Sequence, residues 1–418
     1  MIFVDYLFLY SMTTIWLLLG MNIVLTYFGY VHSVQVRDKK LNILTDMNGF
    51  PTISILIPAH NEEKVIFNTV RSMLKLDYPH DKYEVIVVND GSKDKTAEIV
   101  NELMNKYPHR KLKLINIPKE EGGRGKSNAL NYGFKQSTGE FIVIYDADNT
   151  PNRFALRYLS HELSSHEKYG AVIGKFRTRN KERNLLTRFI NIETLSFQWM
   201  AQAGRWKLFR LCTIPGTNFM VRRKVLDEVG GWDIHAVAED TELSFRIYQM
   251  GYEIAFMPLA ETFEQEPETL KVWFRQRTRW VNGNIYVLVK YLKKVFNVGS
   301  GRVLFDLYYF FSVYFLFLSS IIVSDVIFIL SIFTDYRVGI SGNFVLLWLM
   351  TYFVFTLQIS IALSIEKGEA TLRNILLIFV MYFSYCQLWL FVSFYGFYRN
   401  IKDRFLRRKT KWYKTERF

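Results

Sequence analysis

The sequence predicts an α/β domain, built on a parallel sheet flanked by helices and inserted between transmembrane α-helices. Three observations carry this. Between Thr52 and about Ile173, short β-rich runs alternate with amphipathic stretches, the pattern of strands joined by crossover helices. Charge-free or nearly charge-free apolar runs lie on both sides of that region, each long enough for a bilayer crossing of roughly 20 residues. The chain of 418 residues is also half hydrophobic with 17% aromatic residues, more than one soluble domain requires.

The first apolar run, Tyr6 to Val31, carries no charge and lacks a basic leader or a small-residue cleavage site, so residues 1–35 read as an anchoring helix. Arg37, Lys39 and Lys40 follow at once, which places the next segment on the cytoplasmic side. A cytosolic domain is expected over residues 50–285. Its strands are Ile53 to Ile57, Val85 to Val88, Leu112 to Ile115 and Phe141 to Tyr145, with helices at about 62–75, 94–106 and 125–137. Polar clusters sit where strands end: His60-Asn61-Glu62, Asn89-Asp90-Gly91-Ser92 and Asp146-Ala147-Asp148. Ligands of open α/β sheets bind at the carboxyl ends of strands, so these clusters should converge on one crevice.

From about 185 to 295 aromatic and basic residues mix, as in Phe197-Gln198-Trp199 and Arg205-Trp206-Lys207. Such a stretch suits helices lying on a membrane surface, or a buried amphipathic helix of the domain. Membrane helices follow over 300–400, in apolar runs at about 303–333, 343–365 and 374–398, and a basic cytosolic tail over 401–418. One crossing before the domain and three after it would put that tail outside, against the positive-inside rule. Either the first long run folds back, or one late stretch lies in the interface or re-enters. Asp306 and Asp325 mark the first run as unusual, since intramembrane carboxylates face protein or water.

The net charge of +14 fits cytoplasmic membrane flanks and a lipid bilayer, and no nucleic acid partner is expected. Cys212 and Cys386 are too few for a disulfide framework or a zinc site. No serine or cysteine has a credible catalytic histidine, and Gly122 to Ser127 is not a P-loop because Glu120 stands where the first glycine belongs. Lys126 in that loop still suits a diphosphate.

Asp146 and Asp148, just past a buried strand, suit Mg2+ or Mn2+ shared with phosphate oxygens, or form a simple acidic turn; continued strand alternation would put both carboxylates on one face. Asp240 after Glu239 precedes the helical pattern Thr241 to Gln249 and reads as a helix cap or as a general base. Pro215-Gly216-Thr217-Asn218 reads as a loop whose backbone comes close to the same crevice. In Gln276-Arg277-Thr278-Arg279-Trp280, an amide, two guanidiniums and an indole suit a sugar and diphosphate clamp, or an interfacial helix.

The order Asp90, then Asp146 and Asp148, then Glu239-Asp240, then Gln276 to Trp280 resembles the family 2 processive glycosyltransferases of the cellulose, hyaluronan and poly-N-acetylglucosamine synthase type. The resemblance spans roughly residues 50 to 285 and the flanking membrane helices. It implies a cytosolic GT-A (Rossmann-like) domain and a multi-pass protein of the cell membrane. It also implies donor contacts from Ala59, Glu62, Asp90, Lys126 and Asp146, metal ligation by Asp148 and Asp146, and catalysis by Asp240 with Glu239. Gly216, Thr217, Asn218, Gln276, Arg279 and Trp280 would hold the diphosphate and the acceptor sugar.

The implied reaction is an inverting β-transfer from a UDP-sugar onto a growing polysaccharide, with export coupled to synthesis. Mg2+ or Mn2+ would be the cofactor. The single leading membrane segment is closer to the Gram-positive poly-N-acetylglucosamine synthases, which favours UDP-N-acetylglucosamine over UDP-glucose and brings in a small membrane accessory subunit. Ala238 departs from the threonine usual before Glu239. Two rival readings are a single-transfer enzyme acting on a lipid or cell-wall precursor, and a nucleotide-binding membrane scaffold without activity.

Overall fold

The computed structural model describes residues 3–45, 49–292, 301–334 and 344–405. Helix α1, Phe3–Thr45, is continuous well past the apolar run, and its second half lies against the globular domain, where the His32 ring bonds the Phe256 carbonyl at 3.0 Å. The domain then alternates β1 Ile53–Ala59, α2 Ile66–Met73, β2 Tyr83–Asn89, α3 Thr96–Lys106, β3 Leu112–Asn116, α4 Lys126–Gln136 and β4 Phe141–Ile144. These four strands are parallel in the order β3-β2-β1-β4, with Ala59 level with Asn89 and Leu56 level with Ile144. The runs of β1, β2 and β4 are buried on both faces, as parallel strands between helix layers must be.

The sheet continues beyond what the sequence pattern gives. After β5 Thr150–Pro151 and α5 Ala155–Ser165 come β6 Tyr169–Thr178, α6 Leu185–Phe197, a π-helical stretch Gln198–Gly204, α7 Arg205–Phe209, β7 Phe219–Arg222, α8 Arg223–Val229, α9 Glu239–Gln249 and β8 Glu253–Glu264. These add the order β4-β7-β6-β8-β5, with β7 antiparallel to both its neighbours, so the sheet is mixed and eight-stranded. Trp199 and Trp206 of the aromatic stretch are buried in the main core, whereas Phe197 is exposed.

One buried carboxylate ties the parallel half together. Glu84 on β2 accepts from the Ser54 hydroxyl at 2.7 Å, the Thr138 amide at 2.7 Å and Lys113 Nζ at 2.6 Å. Burial alone would raise its pKa, but these donors to the charged form hold it down at about 2.

The domain closes with α10, Leu270–Leu292, and the apolar part follows as α11 Gly301–Phe311, a π-helical stretch Ser312–Phe317, α12 Leu318–Phe333, α13 Phe344–Ser364, α14 Leu372–Phe383 and α15 Tyr385–Phe405. Phe3–Thr45, Val303–Ser331 and Leu346–Ser364 are each long and apolar enough to cross a bilayer, and α14 with α15 passes as one span bent by 41°. Helices α12 and α13 each bond to α1: Ser11 donates to the Ser320 carbonyl at 2.6 Å and Gln358 to the Leu19 carbonyl at 3.0 Å. Asp306 is fully buried and ion-paired with Arg205, which accounts for one charge inside the apolar run. The basic tail beyond Phe405 lies outside the described residues.

Candidate active site

The carboxyl ends of β1, β2 and β4 open on a crevice of about 1290 Å3, open solvent included, lined from all sides of the domain. Ala59, Glu62, Asp90, Lys126, Asp146, Asp148, Gly216, Thr217, Glu239, Asp240, Gln276, Arg279 and Trp280 all line it. Of the residues to which the resemblance assigns a site role only Asn218 does not; it is wholly buried, with φ 50°, and its amide donates to the Lys175 and Ala260 carbonyls at 2.9 and 2.8 Å. It holds the loop from beneath.

Asp90 stands one residue past β2 and shapes the glycine-rich loop. Its carboxylate accepts from the Gly123 amide at 2.7 Å and the Gly125 amide at 3.2 Å, while its own amide bonds the Ala59 carbonyl at 2.9 Å. Gly125, at φ 101°, immediately precedes α4, so Lys126 is the first helical residue and points into the crevice. Its ammonium sits 2.6 Å from Asp146, 2.7 Å from the Gly216 carbonyl and 3.7 Å from Glu239. Burial pulls the Lys126 pKa down, but Asp146, Glu239 and Asp240 outweigh it and the amine is raised and charged.

Strand β4 ends at Ile144, so alternation does not reach Asp146-Ala147-Asp148; this is a turn, and Ala147 lines the crevice too. The turn closes early because the Thr69 hydroxyl takes the Ala147 carbonyl at 2.7 Å and the Asp146 amide bonds the Thr217 hydroxyl at 3.0 Å. Asp148 is the deeper of the two acids, 2% exposed. The pair offers oxygen alone, and among the described residues no group of three His, Cys, Asp or Glu forms a metal cage. One or two carboxylates completed by phosphate oxygens and water is a donor set that fits Mg2+ or Mn2+.

Asp240 lies in the first turn of α9, its Oδ1 accepting from the Thr241 amide at 2.7 Å; the N-cap is Ala238, so Asp240 is not the cap that the sequence allowed. Burial, reinforced by the Glu239 charge, nevertheless raises its pKa to about 7, against the opposing pull of Lys126. Gly216 faces it at φ +90°, and a Cβ there would lie 2.8 Å from Asp240 Oδ2. On the other side α10 passes so close that a Cβ on Gly283 would lie 2.6 Å from the Ala238 Cβ. Glu242, fully buried, bonds Lys290 of α10 at 2.7 Å and fixes the two helices against each other.

Helix periodicity divides the Gln276 to Trp280 motif. Gln276, Arg279 and Trp280 share one face and reach the crevice, whereas Arg277, 1% exposed, turns away to pair with Glu193 of α6 at 3.1 Å. The motif thus contributes one guanidinium to the crevice.

The far wall comes from the mixed half of the sheet: Phe176 on β6, then Glu264, Gln265 and Glu266 at the end of β8, where the Gln265 amide donates to Asp148 at 3.3 Å. Sequence reading missed these residues, because their strands were not recognised. The signal available was the closely spaced carboxylates of Glu261, Glu264, Glu266 and Glu268.

Comparison with known proteins agrees with this geometry. Residues 51–283 match the model of the glycosyltransferase like family 2. A probable glycosyltransferase, YdaM of Bacillus subtilis, is 48% identical over 99% of this chain and 98% of its own. The poly-beta-1,6-N-acetyl-D-glucosamine synthase of Staphylococcus epidermidis is 32% identical over 63% of this chain, a match spanning 62% of that synthase. The mannosyltransferase PcManGT from Pyrobaculum calidifontis, solved with GDP-Man and Mn2+, superposes with a TM-score of 0.53 over 87% of this chain and 98% of its own, at 19% identity, a likeness of fold. With its mixed-sheet GT-A-like fold, this chain belongs to glycosyltransferase family 2.

Proposed function

We propose that the protein is a membrane-embedded, inverting and processive β-glycosyltransferase, which extends a polysaccharide from a UDP-sugar and couples extension to export. The observation that carries the reading is the raised carboxylate of Asp240, set in one crevice with the strand-end acids and with Gln276, Arg279 and Trp280. A binding scaffold has no use for a base there.

The acceptor hydroxyl gives its proton to Asp240 Oδ2 as its oxygen bonds to C1 of the donor sugar, and the bond from C1 to the diphosphate breaks on the opposite face, inverting the anomeric centre. Glu239 keeps Asp240 basic through its neighbouring charge. Lys126 and Arg279 lie beside the position of the diphosphate, and Trp280, 40% exposed, offers its ring to the acceptor. Asp90 fixes the loop carrying Lys126 and keeps lone pairs for a nucleobase N–H, beside Ala59 and Glu62. Asp148 and Asp146 would hold Mg2+ or Mn2+, which neutralises the charge developing on the leaving diphosphate when bound.

The catalytic domain is cytoplasmic in this reading, and the tail shares its side. Two contacts support that. Glu366, between α13 and α14, pairs with Lys175 and Arg177 of β6, and Gly396 of α15 packs on Val281 of α10, so α14 and α15 leave the domain and return to it. The bent pair then re-enters, and the charge rule is met with three crossings. UDP-N-acetylglucosamine is the favoured donor, because the Staphylococcus relatives are named for that sugar's polymer.

The test uses membranes carrying this chain, Mg2+ or Mn2+, and labelled UDP-N-acetylglucosamine, UDP-glucose, UDP-glucuronate and UDP-galactose, with sizing of the product. High-molecular-weight label from one donor is the expected result. Product of one added sugar would replace processive synthesis by single transfer, and UDP release without product would place the missing component in an acceptor or accessory subunit. Folded protein inert with every donor would leave the scaffold reading.

A further inference from the structure

Arg277 belongs to the motif that faces the crevice and yet does not reach it. Its guanidinium lies 3.9 Å from the centroid of the Trp280 ring, its Nη1 donates to the Gln276 side-chain oxygen at 3.2 Å, and its Nη2 meets Glu193 at 3.1 Å. Among the described residues its Nε has no hydrogen-bond partner. Glu193 in turn accepts from the Tyr385 hydroxyl, which itself accepts from Trp273 Nε1 at 2.9 Å. Tyr385 is the first residue of α15, directly after the break at Ser384 where the apolar pair bends. A continuous chain of bonds therefore runs from the bend in the membrane helices to the two side chains that flank the acceptor position.

We propose that Arg277 is a positioning residue which sets the Trp280 ring and the Gln276 amide for the acceptor sugar, with Glu193 and Tyr385 anchoring it to the membrane helices. The inference rests on the glycosyltransferase reading of the same site. Trp280 is 40% exposed and hangs over an open crevice, so without a partner its ring would sample several rotamers. A cation held over one face removes that freedom and leaves the other face for a pyranose. Lysine cannot replace it, because a point-like ammonium does not supply both the ring contact and two directed bonds. Arg277 touches neither the donor nor the acceptor in this arrangement; it acts through Trp280 and Gln276.

The test uses the full chain in lipid nanodiscs with the donor that the panel identifies. Incorporation of sugar and release of UDP are followed in parallel against a short oligosaccharide, isolated from the wild-type product, as acceptor. Arg277→Lys is expected to raise the acceptor KM roughly threefold to tenfold, as loss of a cation–π contact does, and to leave kcat and the donor KM nearly unchanged. On a Trp280→Ala background the same substitution should lose the larger part of its effect, since only Gln276 is left for it to act through. Tyr385→Phe, which removes one hydroxyl and keeps the ring, should shift the acceptor KM in the same direction and serves if Arg277→Lys does not fold. A lower kcat with unchanged acceptor KM, or a full additional effect on the Trp280→Ala background, overturns the inference while wild-type transfer still stands. A wild-type chain that transfers no sugar from any donor overturns the glycosyltransferase reading and this inference with it.

Discussion

Asp240→Asn separates chemistry from binding. The substitution keeps the shape and the Oδ1 acceptor for the Thr241 amide, but removes the only function that the base reading gives this residue. A positioned general base contributes roughly 100-fold to 10,000-fold, so kcat should fall by that factor. Donor affinity should hold, because Lys126, Asp146 and Asp90 are untouched. The wild-type pH profile provides the second half of the test. Asp240 titrates at about 7 and is active when ionised, so activity should rise with pH. Its ionised fraction climbs from about one tenth at pH 6 to about nine tenths at pH 8, so kcat should gain roughly tenfold across that window. Single-turnover transfer from labelled donor measures kcat, and equilibrium dialysis of the UDP-sugar measures binding. Loss of donor binding in Asp240→Asn, or a wild-type profile that stays flat from pH 6 to 8, would refute the assignment.

Three further outcomes follow from the geometry. Gly283→Ala places a Cβ 2.6 Å from the Ala238 Cβ and 3.0 Å from its amide nitrogen, forcing α10 away from the turn that carries Asp240; kcat should fall up to roughly 100-fold, as misplacement by about 1 Å does, and full activity would show that α10 has slack there. Glu84→Gln should cost about 2 kcal/mol at neutral pH, read as a lower melting temperature, because charge-assisted bonds to Lys113, Thr138 and Ser54 are lost. Since Glu84 is held at about 2 against its ordinary 4.5, the wild-type advantage is complete above 4.5 and fades as pH falls toward 2; a melting difference independent of pH would contradict the cause given. Chelation with EDTA should abolish transfer, with Mg2+ or Mn2+ restoring it, and Asp148→Asn should raise the metal concentration needed for half-activity; transfer indifferent to chelator would remove the metal from the reaction.

The parallel half of the fold was legible because its signals are local. Runs such as Val85 to Val88 are too apolar to sit anywhere but between two helix layers, and Asp90, Asp146 and Asp148 stand within a few residues of the strand ends that place them. The mixed half, from β7 to β5, was not legible. Strands β6 and β8 carry Lys175, Arg177 and Glu261 among apolar residues, and those charges are neutralised by one another and by Glu366, a residue almost 200 positions along the chain from β6. No short window of sequence contains that pairing.

The sequence by itself determined the residue types and their order: acids after strands, a lysine after glycines, Glu239-Asp240 before a helix, and an amide, guanidinium and indole at helical spacing in Gln276, Arg279 and Trp280. The sequence reading kept both guanidiniums in the clamp, and the tertiary structure takes Arg277 out of it by giving it Glu193, which Tyr385 holds in turn. What the fold alone decided is the electrostatic state of the site. Asp240 becomes a base near neutrality because burial and Glu239 disfavour its charge, and Lys126 stays charged because three carboxylates from α9 and the β4 turn surround it. These are properties of distance and dielectric, which exist only once segments more than a hundred residues apart have been packed into one crevice.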